Sequence, residues 1–368
     1  MNKHNSDNER IKRKYFTFMK EAKRQNEASI DAIAKALNRF EVYGHFRDFK
    51  RFHFEQAVGF KKHLANQENR QTGKKLSKAT LNSTLRYLKA FFQWLSREIG
   101  YKSRINYFDA EYFNLSEKET RIATAKRSKP LPTIPQIKHA IASMTADTVL
   151  EKRNRALMAF TLLTGARDSA IASFKLKHID MEAGSVFQDA REVKTKFSKT
   201  FTTYFLPVGD DILNIVIDWV LYLRNELLWG NDDPLFPKTE VKQGKNRTFE
   251  PVGIKPEHWS TASPIRKIFK DAFEAVDLPN FNPHSFRKTL VQLGQKVCQT
   301  PEEFKAWSQN IGHEGVLTTF YSYGEVQPGR QAEIIKQLGL PREPENLPMN
   351  PDAFAKAVAR EIKKQSEG

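Results

Sequence analysis

The sequence predicts a mainly α-helical fold with a small antiparallel β-sheet, divided into two domains. Three observations carry this. Apolar residues recur at helical spacing along most of the chain. A stretch between Ser185 and Leu206 is instead rich in β-branched and aromatic residues. A basic segment ending in Pro130-Leu131-Pro132 separates two helical regions. The chain's 368 residues allow two domains with a sizeable core. Its 27 phenylalanines argue for packed domains and against a disordered basic tail.

Residues 1–27 are polar and charged, with a basic run at Arg10-Ile11-Lys12-Arg13-Lys14. From Ser29, the residues Ile30, Ile33, Ala34, Leu37 and Phe40 mark one helix face, and Phe52, Phe54, Ala57, Phe60 and Leu64 mark a second. Gln71-Thr72-Gly73 reads as a turn. Ser77 is placed to cap a long helix whose apolar face is Leu81, Leu85, Leu88, Phe91, Phe92 and Leu95. Residues 28–112 thus form a helical domain. Residues 113–132 read as a basic linker carrying Lys118, Arg121, Lys126, Arg127 and Lys129.

The second domain, 133–340, opens with a helix near Pro135–Met144. The run Arg155–Thr164 is apolar nearly all round, as a buried helix requires. Gly165 ends it, and Asp168 or Ser169 can cap a short helix through Phe174. Strands are expected at Ser185–Gln188, Ala190–Val193 and Thr200–Leu206. Helices resume at Asp211–Leu228, Pro264–Val276, Pro283–Val297 and Pro301–Gln309. After Leu340 a proline-rich break leads into a tail, 341–368, with a short helix near Ala353–Ile362.

Lys plus Arg number 60 against 43 Asp plus Glu, a net charge of +17. That excess argues for a polyanionic partner. The single cysteine, Cys298, excludes a disulfide within the chain and fits a reducing compartment; its setting reads as core. No apolar run approaches the length of about 18 residues that spans a membrane, and the amino terminus is no signal peptide, so a soluble, cytoplasmic protein is expected.

The motifs that carry chemistry lie in the second domain. Asn282 then Pro283 reads as an N-cap followed by a first-turn proline. His284 and Arg287 then share a face at a helix amino terminus, where free amides and the helix dipole favour an anion. Arg167 sits on the turn after the buried helix. Two guanidiniums offer forked, permanently charged donors for the nonbridging oxygens of a phosphodiester. Ile311-Gly312-His313 and Thr318-Thr319-Phe320-Tyr321-Ser322-Tyr323 add a second imidazole and two phenols. No carboxylate or cysteine stands at ligand spacing from the histidines, so metal-independent chemistry without a cofactor is expected.

Thr164-Gly165-Ala166-Arg167, His284-x-x-Arg287, Gly312-His313 and a following tyrosine, in that order, resemble the catalytic signature of the tyrosine recombinases, the phage-integrase-like site-specific recombinases. The likeness covers about 133–335 strongly. The helical region 28–112, with Ser77-Lys78-Ala79-Thr80-Leu81 and Phe91-Phe92-x-Trp94-Leu95, is similar to that family's core-binding domain. The resemblance implies the two-domain recombinase architecture, a helical core-binding domain plus an α+β catalytic domain. It also implies a linker that crosses DNA so that both domains clamp the duplex. A tyrosine would attack a phosphodiester to form a 3′-phosphotyrosyl link, and four protomers would act on two DNA sites, as in integration or excision of a mobile element. Accessory recombinases or directionality factors would be possible partners. Phosphate contacts would be expected from Lys78, Lys126, Arg127, Lys129 and Lys194.

By the same resemblance a lysine on a β-hairpin protonates the leaving 5′-oxygen. Lys194, Lys196 and Lys199 are available; Lys199 fits best and Lys196 nearly as well. His284 would shuttle a proton or bind phosphate, and His313 would donate to it. The chain departs from the family at two places. The usual position of the nucleophile falls on Ser322, between Tyr321 and Tyr323; Tyr323, directly before Gly324, is preferred. Ala170 stands where an acidic residue is often found, and Asp168 is the available substitute for holding Arg167. Two other readings stay open at this point: a type IB-like topoisomerase, and a non-catalytic sequence-specific DNA-binding protein.

Overall fold

The structure is a computed structural model that describes residues 4–69, 72–125, 130–244 and 248–312. The chain forms two compact units, Met1–Arg127 and Ser128–Gly368. Among the described residues, no helix is long and apolar enough to cross a membrane.

The first unit contains α1 (Ser6–Thr17), α2 (Glu27–Tyr43), α3 (Phe54–Asn66), α4 (Lys78–Leu95) and α5 (Glu117–Thr124). The side chains of Asn5, Asn26, Ser77 and Ser116 accept from first-turn amides and so start α1, α2, α4 and α5. The face foreseen on α4 is buried in full, from Leu81 to Leu95. It packs into a phenylalanine core. Phe52 stacks on Phe92 with centroids 3.7 Å apart, and Phe40 meets Phe60 and Phe92 edge-on at 5.2 Å.

The polar amino-terminal stretch is helical through α1, with one wider turn at Phe18–Ala22. Ile11 and Tyr15, four apart, point into the core. Between them and the amino terminus, Asn8 is fully buried and fully used. Its amide donates to Glu41 Oε1 (3.2 Å) and the Arg47 carbonyl (2.9 Å), and its oxygen accepts from the Phe49 N–H (3.0 Å). Lys12 reaches the other Glu41 oxygen at 2.6 Å. Within the stretch expected to be a linker, residues 117–124 form α5. A capping box between Ser116 and Glu119 starts it, and a 2.7 Å ion pair from Lys78 to Glu119 joins it to α4.

The second unit contains α6 (Ile134–Ala142), α7 (Val149–Thr164), α8 (Asp168–Ile171), β1 (Ile179–Asp180), β2 (Ser185–Gln188), β3 (Phe201–Tyr204), α9 (Asp210–Leu221), β4 (Lys238–Gln243), β5 (Phe249–Lys255), α10 (Ser263–Glu274), α11 (Pro283–Val297) and α12 (Pro301–Asn310). Every residue of α7 from Ala156 to Thr164 is buried, which is what its unbroken apolar composition demands. Arg153, a turn earlier, is a buried charge on the same helix. Its guanidinium donates to the Pro237 carbonyl and Thr239 Oγ1, both at 3.0 Å, and lies 5.0 Å over the Trp259 ring. Burial lowers its pKa to about 10, so it remains a cation at neutral pH.

β1, β2 and β3 form one antiparallel sheet, with Val186 opposite both Ile179 and Thr203. Ala190–Val193 is a turn instead of the expected strand. The Asp189 carbonyl accepts the Val193 N–H at 2.7 Å, and its carboxylate grips Arg191, so the chain curls before pairing can continue. The β4–β5 hairpin was not foreseen. Its strands are charged and largely exposed, so they lack the apolar alternation that marks a strand; backbone pairing and the Lys238–Glu257 and Lys255–Glu257 ion pairs hold it. The helix expected to reach Leu228 ends at Leu221 and continues as a wider turn, Tyr222–Glu226.

Asn8→Ala strands the Phe49 amide and the Arg47 carbonyl inside the first unit. A loss of about 1–3 kcal/mol is expected. Urea unfolding, with amide exchange read at Phe49, measures it; unchanged protection at Phe49 would contradict the assignment.

Candidate active site

The site begins where α7 ends. Gly165 closes the helix in the left-handed region (φ +61°) and donates to the Thr161 carbonyl at 2.9 Å. A side chain here would meet Leu290 Cδ1 at 3.2 Å as well as the backbone penalty, so glycine fits on two counts. Thr164 Oγ1 accepts the next amide, from Ala166, at 3.2 Å, and the Leu163 carbonyl accepts the Leu206 amide at 2.8 Å. Arg167 therefore leaves a rigid turn. It is itself the N-cap residue of α8, the place expected for Asp168 or Ser169. Its side chain is half-buried, and burial pulls its pKa below the usual arginine value.

Arg287 reaches the same turn from α11. Asn282 caps that helix as expected, accepting from Ser285 N–H at 3.2 Å, and Pro283 follows. The amide of Ser285 is thereby occupied and Pro283 has none, so side-chain cations carry most of the attraction for an anion. Arg287 lies on the buried stripe with Pro283, Leu290, Val291 and Gly294. One guanidinium nitrogen donates to the Gly165 carbonyl at 2.9 Å and the other to the Ile311 carbonyl. Burial, with Arg167 nearby, lowers its pKa to about 9, still a cation at neutral pH. His284, one turn earlier, is open to solvent at its edge. Partial desolvation, then Lys288, Arg287 and Arg167, hold its pKa below the usual 6.5. Asp168 opposes this shift, but its carboxylate is engaged by Arg266 at 2.7 Å, so it does not take up the task of holding Arg167.

The carbonyl that receives Arg287 is fixed by a third element. Asn310 at the end of α12 pairs with the backbone of Tyr204 in both directions, at 2.6 and 2.9 Å, and its own carbonyl accepts from Thr203 Oγ1 at 2.9 Å. Gly312 follows in the left-handed region (φ +66°), where a side chain would collide with the Phe201 ring. α12 is thus latched to β3, and β3 ends the loop that carries the candidate lysines. That loop spans Asp189–Thr200. Thr195 Oγ1 closes its tip by donating to the Lys199 carbonyl at 2.7 Å. Phe197 and Ser198 at the apex have φ of +59° and +51°. Lys194 and Lys196 are exposed and Lys199 is half-buried.

The structure brings Arg167, His284 and Arg287 together. It places Lys78 in the first unit, paired with Glu119. His313, Tyr321, Tyr323, Lys126, Arg127, Lys129 and the tail helix lie outside the described residues. Sequence reasoning missed Arg266, Lys288 and Asn310. Lys288 directly follows Arg287 and was readable as added charge; Asn310 had no local signal, because its partners lie 106 residues away.

Residues 133–297 match the model of the phage integrase family. The chain is 24% identical over 267 residues to tyrosine recombinase XerC of Lactobacillus leichmannii, covering 70% of this chain and 76% of that protein. It is 27% identical over 264 residues to XerC of Lactobacillus delbrueckii subsp. bulgaricus, with the same coverage. Its fold is similar to XerH site-specific recombinase bound to a palindromic difH substrate (TM-score 0.58, 17% identity, 88% of this chain and 83% of that one). It is also similar to a lambda integrase dimer bound to a COC' core site (TM-score 0.55, 14% identity, 87% and 96%). Arg167, His284 and Arg287 all lie within the matched region 133–297, and the chain is similar to tyrosine recombinases over about 70% of its length.

Proposed function

We propose that this protein cuts and rejoins DNA at specific sites through a 3′-phosphotyrosyl intermediate. The observation that carries this is the convergence of Arg167 and Arg287 on one turn, with His284 beside them and no carboxylate among Arg287's described acceptors. Among the described residues, no carboxylate is hydrogen-bonded to either arginine, so the cluster presents net positive charge at a rigid point. A phosphodiester fits it, because negative charge grows on the nonbridging oxygens during displacement, and preorganised donors stabilise that growth.

In the forward step the phenol oxygen of Tyr323 gives up its proton and bonds to phosphorus. The bond from phosphorus to the 5′-oxygen breaks, and that oxygen takes a proton from Lys199, with Lys196 as the other candidate. A free tyrosine has a pKa of about 10, so the neighbouring cations also favour its ionised form. His284 binds the phosphate or passes the proton, and His313 donates to the phosphate. Reversal by the 5′-hydroxyl of a partner strand reseals DNA without a nucleotide cofactor. Action as a homotetramer on two sites, in the service of a mobile element, extends this reading. A neighbour that is a transposon integrase in complex with transposon-end DNA supports the mobile-element part of it.

Mixing the protein with nicked DNA from the ends of its genomic element, in EDTA, should give a detergent-stable protein–DNA adduct. Tyr323→Phe should abolish it and Tyr321→Phe should retain it. The reverse pattern moves the nucleophile to Tyr321, and tight specific binding with no adduct would refute strand transfer. The imidazole of His284 should titrate below 6.5 in the free protein and therefore be mostly neutral at pH 7.5. A docked phosphate favours the imidazolium, so DNA should raise that pKa. NMR titration with and without duplex checks the sign; no upward movement contradicts contact with phosphate.

A further inference from the structure

The lysine loop is held in place by residues with no assigned part in the chemistry. Both main-chain polar groups of Lys194 are taken by the segment that carries Arg167. Ser173 Oγ accepts the Lys194 N–H at 2.9 Å, and Ser169 Oγ donates to the Lys194 carbonyl at 3.2 Å. Ser173 is buried and its own proton goes to the Ala170 carbonyl at 3.0 Å, so its lone pair is aimed at the loop. One residue earlier Val193 is buried, and next to it Glu192 is gripped from the other side. Its carboxylate meets His178 Nε2 at 3.0 Å, Lys177 at 2.8 Å and Lys175 at 3.2 Å. His178 is fixed in turn, because its Nδ1 accepts the Lys175 N–H at 2.9 Å, which leaves the proton on Nε2, facing Glu192.

Resting on the strand-transfer reading, we infer that Ser169, Ser173 and Glu192 are positioning residues that set the register of the lysine loop against Arg167. The physical reason is reach. A general acid works only within hydrogen-bond distance of the atom it protonates, about 2.6–3.2 Å. A one-residue slip of an extended chain moves a side chain by about 3.3 Å and reverses its direction. The tip beyond Lys194 carries two left-handed residues and the exposed Phe197, and Thr195 Oγ1 closes it on the Lys199 carbonyl. The clamp at 192–194 therefore sets the entering end of the loop that presents an ammonium at 196 or 199, as β3 sets the leaving end. Ser169 lies two residues after Arg167, so the group that protonates the leaving oxygen and one that neutralises the phosphate are referred to the same turn.

The test uses the full chain and two nicked DNA substrates that differ only at the leaving atom, oxygen or a bridging 5′-sulfur. A thiolate leaves without protonation, since a thiol pKa is near 8.5 against about 16 for water. The Ser169→Ala/Ser173→Ala double variant should cleave the oxygen substrate at least about tenfold more slowly, because small misplacements cost up to about a hundredfold. It should approach the wild-type rate on the sulfur substrate, as should the lysine variant, Lys199→Ala or Lys196→Ala, that proves defective. Glu192→Gln, which touches the loop from the surface, carries the same test if the double variant does not fold. An equal defect on both substrates, or none on oxygen, overturns the inference while leaving strand transfer standing. A wild-type protein that binds DNA and cleaves neither substrate overturns both.

Discussion

The buried guanidinium of Arg287 is the interaction on which the second unit's site depends. Removing a cation from water costs several kcal/mol unless hydrogen bonds and counter-charge replace its hydration. Here the described acceptors are two carbonyls, from Gly165 and Ile311. They satisfy the N–H groups without cancelling the charge. One side chain therefore ties α11 to the end of α7 and to the end of α12, and keeps a positive field at the junction. Burial first, and then Arg167, lowers the pKa of Arg287 in that arrangement. On the proposed strand-transfer reading, an arriving phosphate would offset that charge. On that reading, structural support and affinity for an anion have one origin.

Around that junction, hydrogen bonds to the backbone add to the apolar packing of Leu163, Leu290, Val291 and Ile311. Asn310 extends the edge of β3 with its amide, the Leu163 carbonyl receives the chain that leaves β3, and the serines of the α8 segment hold the lysine loop. Such contacts fix register, which apolar packing specifies loosely where strands are only two to four residues long. They also tie three stretches of sequence, near 167, 194 and 310, to a common frame.

Much of this was legible in the sequence where the signal was local. The stripe of Leu81 to Leu95, the caps at Ser77 and Asn282 and the buried run of α7 follow from spacing and residue type alone. The place of Arg287 in the site was read from the His284-x-x-Arg287 spacing; its burial on a stripe with Leu290, Val291 and Gly294 was not. What escaped was of two kinds. The partners of Arg287 lie 122 and 24 residues away, and no periodicity announces them. The β4–β5 hairpin and the turn at Ala190–Val193 break the ordinary correlation of composition with strand. The first is a charged ribbon held by its own pairing; the second offers only Val193 as a β-favouring residue and is curled by Asp189.

The most direct measurement removes the charge from the other side. DNA carrying a neutral methylphosphonate at the scissile position needs no guanidinium to offset a phosphate anion. Arg167→Ala should cleave ordinary DNA about a hundredfold to a thousandfold more slowly than wild type, the range for loss of one preorganised donor. On the methylphosphonate it should regain most of that rate. Arg287→Ala should recover less, because it also unties α7, α11 and α12. If Arg167→Ala is equally impaired on both substrates, neutralising phosphate charge is not what this cluster does.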